Sequence, residues 1–288
     1  MNDEGIITHL ESSSSPKSIE ILRKHKEEAT TAEPILDIPS GSFLLPPFCD
    51  LHLHAPQFLY QGTGLDLPLM QWLDKYALKA EHRIDADPNL AYKLYTRLAN
   101  RLKENGTGTV LLFGTIKEET KCTFPLSLSL SESILIFFLL NSLILAECMQ
   151  SAGIRAYVGK LSMDVDISSP RVNPYLEASA RESLQSAKSF IKRCQHLTAH
   201  LPLSRRLVEP VLTPRFTPTC SDELLRGLGE ISSDQGVKIQ SHLAEAKDLV
   251  EWVKAKRGME DIDVFDTASI WPMTPVKHFI LLNQNILE

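Results

Sequence analysis

His52-Leu53-His54 places two imidazoles two residues apart. On a strand, side chains at that spacing leave the same face, so both rings point one way while Leu51 and Leu53 point the other. Two imidazoles at the end of a strand supply half of a zinc site. The plainer reading is a pair of histidines that happen to fall in a core strand, and HxH alone does not separate the two. Ser241-His242-Leu243-Ala244-Glu245 adds a third imidazole with a carboxylate three residues beyond it. A carboxylate in that place can reach a metal-bound water without binding the metal, which is the arrangement for general acid/base work. Taken alone, Glu245 is better read as a favourable charge in the first turn of a helix. Combined with the upstream HxH, the pair favours metal-assisted hydrolysis.

Other polar residues near these motifs have the chemistry of a binding site. Arg215, in Thr213-Pro214-Arg215-Phe216, sits between a proline and an aromatic at the end of an apolar run. Its planar fork suits paired acceptors, although an ordinary arginine paired with a helix carboxylate would look the same. Gln57, just past His54, offers donors and acceptors for a base edge, but by itself is better read as a solvated loop amide. His9, His25, His82, His196 and His200 lie in polar or helical surroundings and read as surface residues. Cys49 and Cys220 read as packing residues rather than nucleophiles.

These residues need strands to position them, and the chain supplies an alternating pattern. Apolar runs at 48–54, 108–115, 154–163, 207–216 and 237–245 read as strands, the first of them buried. Between them, 66–83 carries Leu69, Trp72, Leu73 and Tyr76 at helical spacing. Asp87, Pro88 and Gly106 bracket a second helix, 174–195 reads as another, Ser221 opens a fourth, and a last one runs to about 257. Strand-helix alternation predicts a parallel α/β fold. Five strands are counted, where a closed (β/α)₈ barrel needs eight. Residues 1–41, with the serine run 12–15, read as a polar leader or the remnant of a small β domain. The segment 122–143 breaks the rhythm. Its apolar run is far short of the ~20 residues of a membrane span, and it reads as an insertion of the kind a translated intron leaves.

Composition and charge argue for a soluble protein. The chain has 288 residues, 43% apolar, with 30 Lys+Arg against 36 Asp+Glu, a net charge of −6. An acidic balance argues against nucleic acid as partner. Five cysteines without a CxxC pair argue against a disulfide framework and for a reducing cytoplasm. The first residues show no secretory leader pattern.

Taken together, HLHAPQ (52–57), GTGLDLPLMQWLDKY (62–76), NGTGTV (105–110), RAYVGKLSMD (155–164), TPRF (213–216) and QSHLAE (240–245) resemble, in that order, the guanine deaminase family of amidohydrolases. The resemblance runs from about Ser42 to about Phe265, interrupted at 122–143. It implies a (β/α)₈ barrel with a small β domain built from both chain ends. It implies one zinc per chain, held by His52, His54 and His242, which activates water for attack on the carbon bearing the guanine amino group, releasing ammonia and xanthine. Glu245 is then the proton shuttle, and Gln57, Arg215 and Phe216 hold guanine. The physics is compatible: O6 and N7 of guanine are adjacent acceptors that an arginine fork fits.

The pattern also departs from the family. A further histidine on the sixth strand and a metal-binding aspartate on the eighth are expected there. Residues 266–288 match poorly, His278 is a weak candidate for that histidine, and no segment corresponds to the eighth strand. Pro47 replaces a usual glycine before the HxH strand. The expectation is an incomplete barrel of 42–288, unstable or inactive as written. A homodimer and a cytoplasmic location are further expectations. The competing readings are an amidohydrolase acting on a pterin, triazine or pyrimidine, and a non-catalytic fragment that binds partners.

Overall fold

The computed structural model describes residues 6–27, 37–117, 141–167, 175–270 and 279–282. The chain divides into two compact units, Met1–Pro46 with Pro202–Arg205, and Pro47–Leu201 with Arg206–Glu288.

In the smaller unit the described leader forms a helix, α1 (Pro16–Glu27), where a β remnant or a loose leader was expected. The cause is local. Pro16 starts the helix with its preset φ, and the Ser15 hydroxyl accepts the Ser18 N–H at 3.1 Å as an N-cap.

The larger unit is a parallel β/α sheet. Its strands are β1 (Phe48–His54), β2 (Thr107–Phe113), β3 (Arg155–Ser162), β4 (Val208–Pro214), β5 (Ile239–His242) and β6 (Phe279–Leu282), in spatial order one to six. Every neighbouring pair is parallel. Each of the five expected strands is present. The sixth lies in the stretch judged divergent, where Phe279-Ile280-Leu281-Leu282 pairs with Ile239–His242. With β1 and β6 at its two edges the sheet is an incomplete (β/α)₈-type barrel.

β1 corrects one expectation. It is an edge strand rather than a buried one, with Phe48 67% and Leu51 45% exposed. Its pairing to β2 slips between Asp50 and Leu53. The Asp50 carboxylate accepts the His52 N–H there at 3.0 Å, a local bond that competes with the ladder and re-aims the residues beyond it.

The helices follow their end signals. A helical run from Leu69 to Ala86 comprises α2 (Leu69–Trp72), a π turn (Leu73–Ala77) and α3 (Leu78–Ala86). In α4 (Pro88–Glu104), Asp87 Oδ1 accepts the N–H groups of Asn89 and Leu90. Then come α5 (Asn141–Ala152), α6 (Ala180–Thr198), α7 (Asp222–Gln235, capped by Ser221), α8 (Lys247–Arg257) and α9 (Asp261–Thr267). Most of the expected insertion lies outside the described residues. Its last residues do not: Ser142 and Leu143 are buried in α5, and Ser142 Oγ donates to the Thr115 carbonyl at 3.3 Å.

The interior between strands is filled by side chains. Gln240 Nε2 donates to the Leu112 carbonyl at 2.9 Å and to Thr213 Oγ1 at 2.8 Å, joining three strands. Gly159 makes room for this layer, since a Cβ there would stand 1.9 Å from Thr213 Oγ1. Lys160 Nζ pairs with Glu177 at 2.6 Å, both buried. No helix among the described residues is long and apolar enough to cross a membrane.

Candidate metal centre

β1 and β5 both end on the same side of the parallel sheet, and their last residues are His54 and His242. With His52 they form a tight group in which each ring offers one nitrogen, the three lying within 4.8 Å of one another. His54 Nε2 and His242 Nε2 are 2.9 Å apart. The His52 ring stands 4.8 Å from that of His242 and 5.3 Å from that of His54. Phe113, at the end of β2, backs all three, its ring 4.4 Å from His54 and stacked on it. The motif reading overlooked Phe113, although its register opposite His54 follows from pairing the two strand ends.

The set suits a divalent metal. His242 Nδ1 faces the Arg215 carbonyl at 2.6 Å. That bond fixes the proton on Nδ1 and leaves Nε2 as the lone-pair donor. His52 Nδ1 and His54 Nδ1 are buried without a partner among the described residues. Burial holds the imidazolium pKa of His52 and of His242 down to about 4, and that of His54 well below its ordinary value, with His242 adding to the effect on His52 and His54. The rings are therefore neutral near pH 7, the form a metal requires.

A cleft of about 1120 Å³ opens over this group. His52, His54, Gln57 and Glu245 line it, so four of the seven expected site residues share one wall. Gln57 is carried by the 3₁₀ turn Ala55–Leu59 that follows β1. Burial raises the Glu245 carboxyl above its usual value while Arg215 and His52 oppose the shift, which suits a group that must take up and release a proton. The loop after Tyr60 lines the cleft too. Gly64 holds φ +71° there, and a Cβ would meet the Tyr76 ring at 2.5 Å. Trp72 Nε1 donates to the Thr63 carbonyl at 2.9 Å, and Asp248 on α8 accepts the Met70 N–H at 3.3 Å, tying the loop down.

The structure places His242, Arg215 and Phe216 behind the cleft rather than on its lining. Arg215 is 2% exposed, and its Nη1 donates to Glu81 Oε2 at 2.6 Å. Phe216 packs in the core with its ring 6.5 Å from that of His242. Glu81, wholly buried on α3, was not foreseen, because nothing in its sequence neighbourhood marks it as the partner of a residue 134 positions away. Of the cysteines expected to be packing residues, Cys220 is buried and Cys49 is exposed on the edge strand. His278 lies outside the described residues.

Imidazoles gathered at the C-terminal ends of parallel strands, beneath an open cleft, place the fold among the (β/α)₈-type barrels that carry their sites at that end. Within that class the chain belongs to the amidohydrolase family, whose model matches residues 43–268. It is 33% identical to the guanine deaminase of Dictyostelium discoideum over 100% of this chain and 55% of that protein. It is 31% identical to the guanine deaminase of Homo sapiens over 88% of this chain and 48% of that one. The crystal structure of guanine deaminase from C. acetobutylicum with bound guanine in the active site superposes with a TM-score of 0.65 at 30% identity, over 82% of this chain and 48% of that chain. The chain thus spans about half the length of the relatives it matches.

Proposed function

We propose that the protein is a guanine deaminase, releasing ammonia and xanthine by zinc-dependent hydrolysis. The observation that carries this reading is the convergence of His52, His54 and His242 beneath a cleft whose rim bears Glu245. The similarity to guanine deaminases supplies the substrate.

In this reading the three imidazoles hold a single zinc ion. Zinc bound to imidazole nitrogens lowers the pKa of a coordinated water toward ~7. The chain's own residues do the rest. Glu245, its carboxyl raised by burial, accepts the proton of the attacking water and delivers one to the leaving amine. Gln57 meets the base from the cleft wall. The resemblance assigns Arg215 and Phe216 to guanine as well; both are buried behind the cleft here, so this part of the reading requires them to open toward it, Arg215 then using the N–H groups that Glu81 does not occupy. Tyr60, Trp72 and the tethered loop between them shield the base from water.

The test is ammonia release from guanine by the purified chain supplied with zinc. Turnover that disappears in Glu245→Gln supports the reading. A chain that binds zinc and guanine yet releases no ammonia is a binding fragment, and a chain that turns over a pterin or triazine in preference to guanine has another substrate.

A further inference from the structure

The residue between His242 and Glu245 that sets the direction of the carboxylate is Ala244, with φ 47°. An L-residue with a Cβ enters the left-handed region at a cost, and it remains there where its surroundings over-determine it. The determinant here is Asp261, the first residue of α9, which is 4% exposed. Its Oδ2 accepts the Ala244 N–H at 2.9 Å. Its Oδ1 accepts the hydroxyl of Thr217, two residues beyond Arg215. One buried carboxylate therefore fastens the chain after β4 to the chain after β5, at the residue whose backbone decides where Glu245 points. Asp261 does not itself line the cleft.

We propose that Asp261 is a positioning residue for Glu245, holding Ala244 in the left-handed conformation that turns the Glu245 carboxylate into the cleft lined by His52 and His54. Without the bond to Asp261, Ala244 has no reason to keep a positive φ. It relaxes to the ordinary region and carries Glu245 away from the histidines. The proposal rests on the guanine deaminase reading only for what Glu245 does once it is in place.

The test compares the 288-residue wild-type chain with Asp261→Ala and Asp261→Asn. The asparagine keeps an acceptor for the Ala244 N–H while Thr217 turns its hydroxyl to accept from the amide. Expected in Asp261→Ala are amide exchange at Ala244 faster by at least about 10-fold, and a crystal structure in which Glu245 has left the cleft. With zinc and guanine, kcat falls about 100-fold, the scale of a misplaced catalytic group, while KM changes little. Asp261→Asn restores all three readouts toward wild type. Glu245 still in the cleft of Asp261→Ala, or an equal loss in both variants, overturns the proposal. A wild-type chain without turnover overturns the functional reading instead, and exchange and crystallography then decide the proposal by themselves. If Asp261→Ala does not fold, Ala244→Val probes the same turn from its other side. A β-branched residue resists positive φ, so the amide at 244 must lose protection although Asp261 is intact, and full protection overturns the proposal.

Discussion

His54 and His242 bring their Nε2 atoms to 2.9 Å across 188 positions of sequence. Two neutral imidazoles at that distance are held by one shared proton, a modest interaction for groups so deeply placed. A divalent cation between them replaces it with two coordinate bonds. Zinc at 100 times its Kd should therefore stabilise the chain by about 2.7 kcal/mol, read as a rise in Tm that chelation reverses. His242→Ala should abolish the rise. A Tm indifferent to zinc would mean that the three rings are packing, as their sequence motif alone allowed.

The ion pair of Arg215 with Glu81 makes a second prediction. Both side chains are buried, so removing one partner strands the other charge. Glu81→Ala should cost about 3–5 kcal/mol in urea unfolding, and replacing both residues by apolar ones of similar volume should cost much less. Equal losses in the single and double variants would show that packing, not the charge left behind, sets the cost.

How much of this was legible in the sequence depends on whether the determinant was local. The five strand-helix units were, because alternation and end signals such as Asp87-Pro88 and Ser221 act within a few residues of themselves. The three histidines were legible because each lies at the end of an apolar run. The helix at 16–27 was obscured by a polar composition that suggested disorder, although Ser15-Pro16 is an N-terminal signal. The exposure of β1 was hidden for a different reason: the apolar run of an edge strand in a parallel sheet reads like that of a central one, and among the described residues β1 pairs with β2 alone. Glu81 and Asp261 were invisible because their partners, Arg215 and Ala244, are reached through the fold.

Glu147 on α5 should make stability depend on pH. Burial raises its carboxyl above the usual value, and Oε2 is buried without a partner among the described residues. Below about pH 4.5 both folded and unfolded chains hold the proton and there is no penalty. As pH rises through that value the unfolded chain ionises first, so stability falls until the folded carboxyl ionises too. Glu147→Gln removes the penalty. Urea midpoints of wild type and variant should agree near pH 4 and favour the variant at pH 7. A difference of the same size at both values would assign the effect to packing.

The interior layer gives the sharpest packing prediction. Gly159 faces Thr213 Oγ1 and Gln240 Nε2, which a Cβ would approach to 1.9 and 2.4 Å. Neither atom can simply retreat, because Gln240 Nε2 is bonded both to Thr213 and to the Leu112 carbonyl, and Thr213 Oγ1 donates to Val211. Gly159→Ala should therefore destabilise the chain by about 1–3 kcal/mol through overpacking. Thr213→Ala opens space at that point, so Gly159→Ala should cost less in the Thr213→Ala background than in wild type, a coupling that a double-mutant cycle of Tm or urea midpoints reads directly. Additive effects would mean that the layer has slack, and that Gln240, two residues before His242, does not hold β5 as tightly as its bonds to β2 and β4 require.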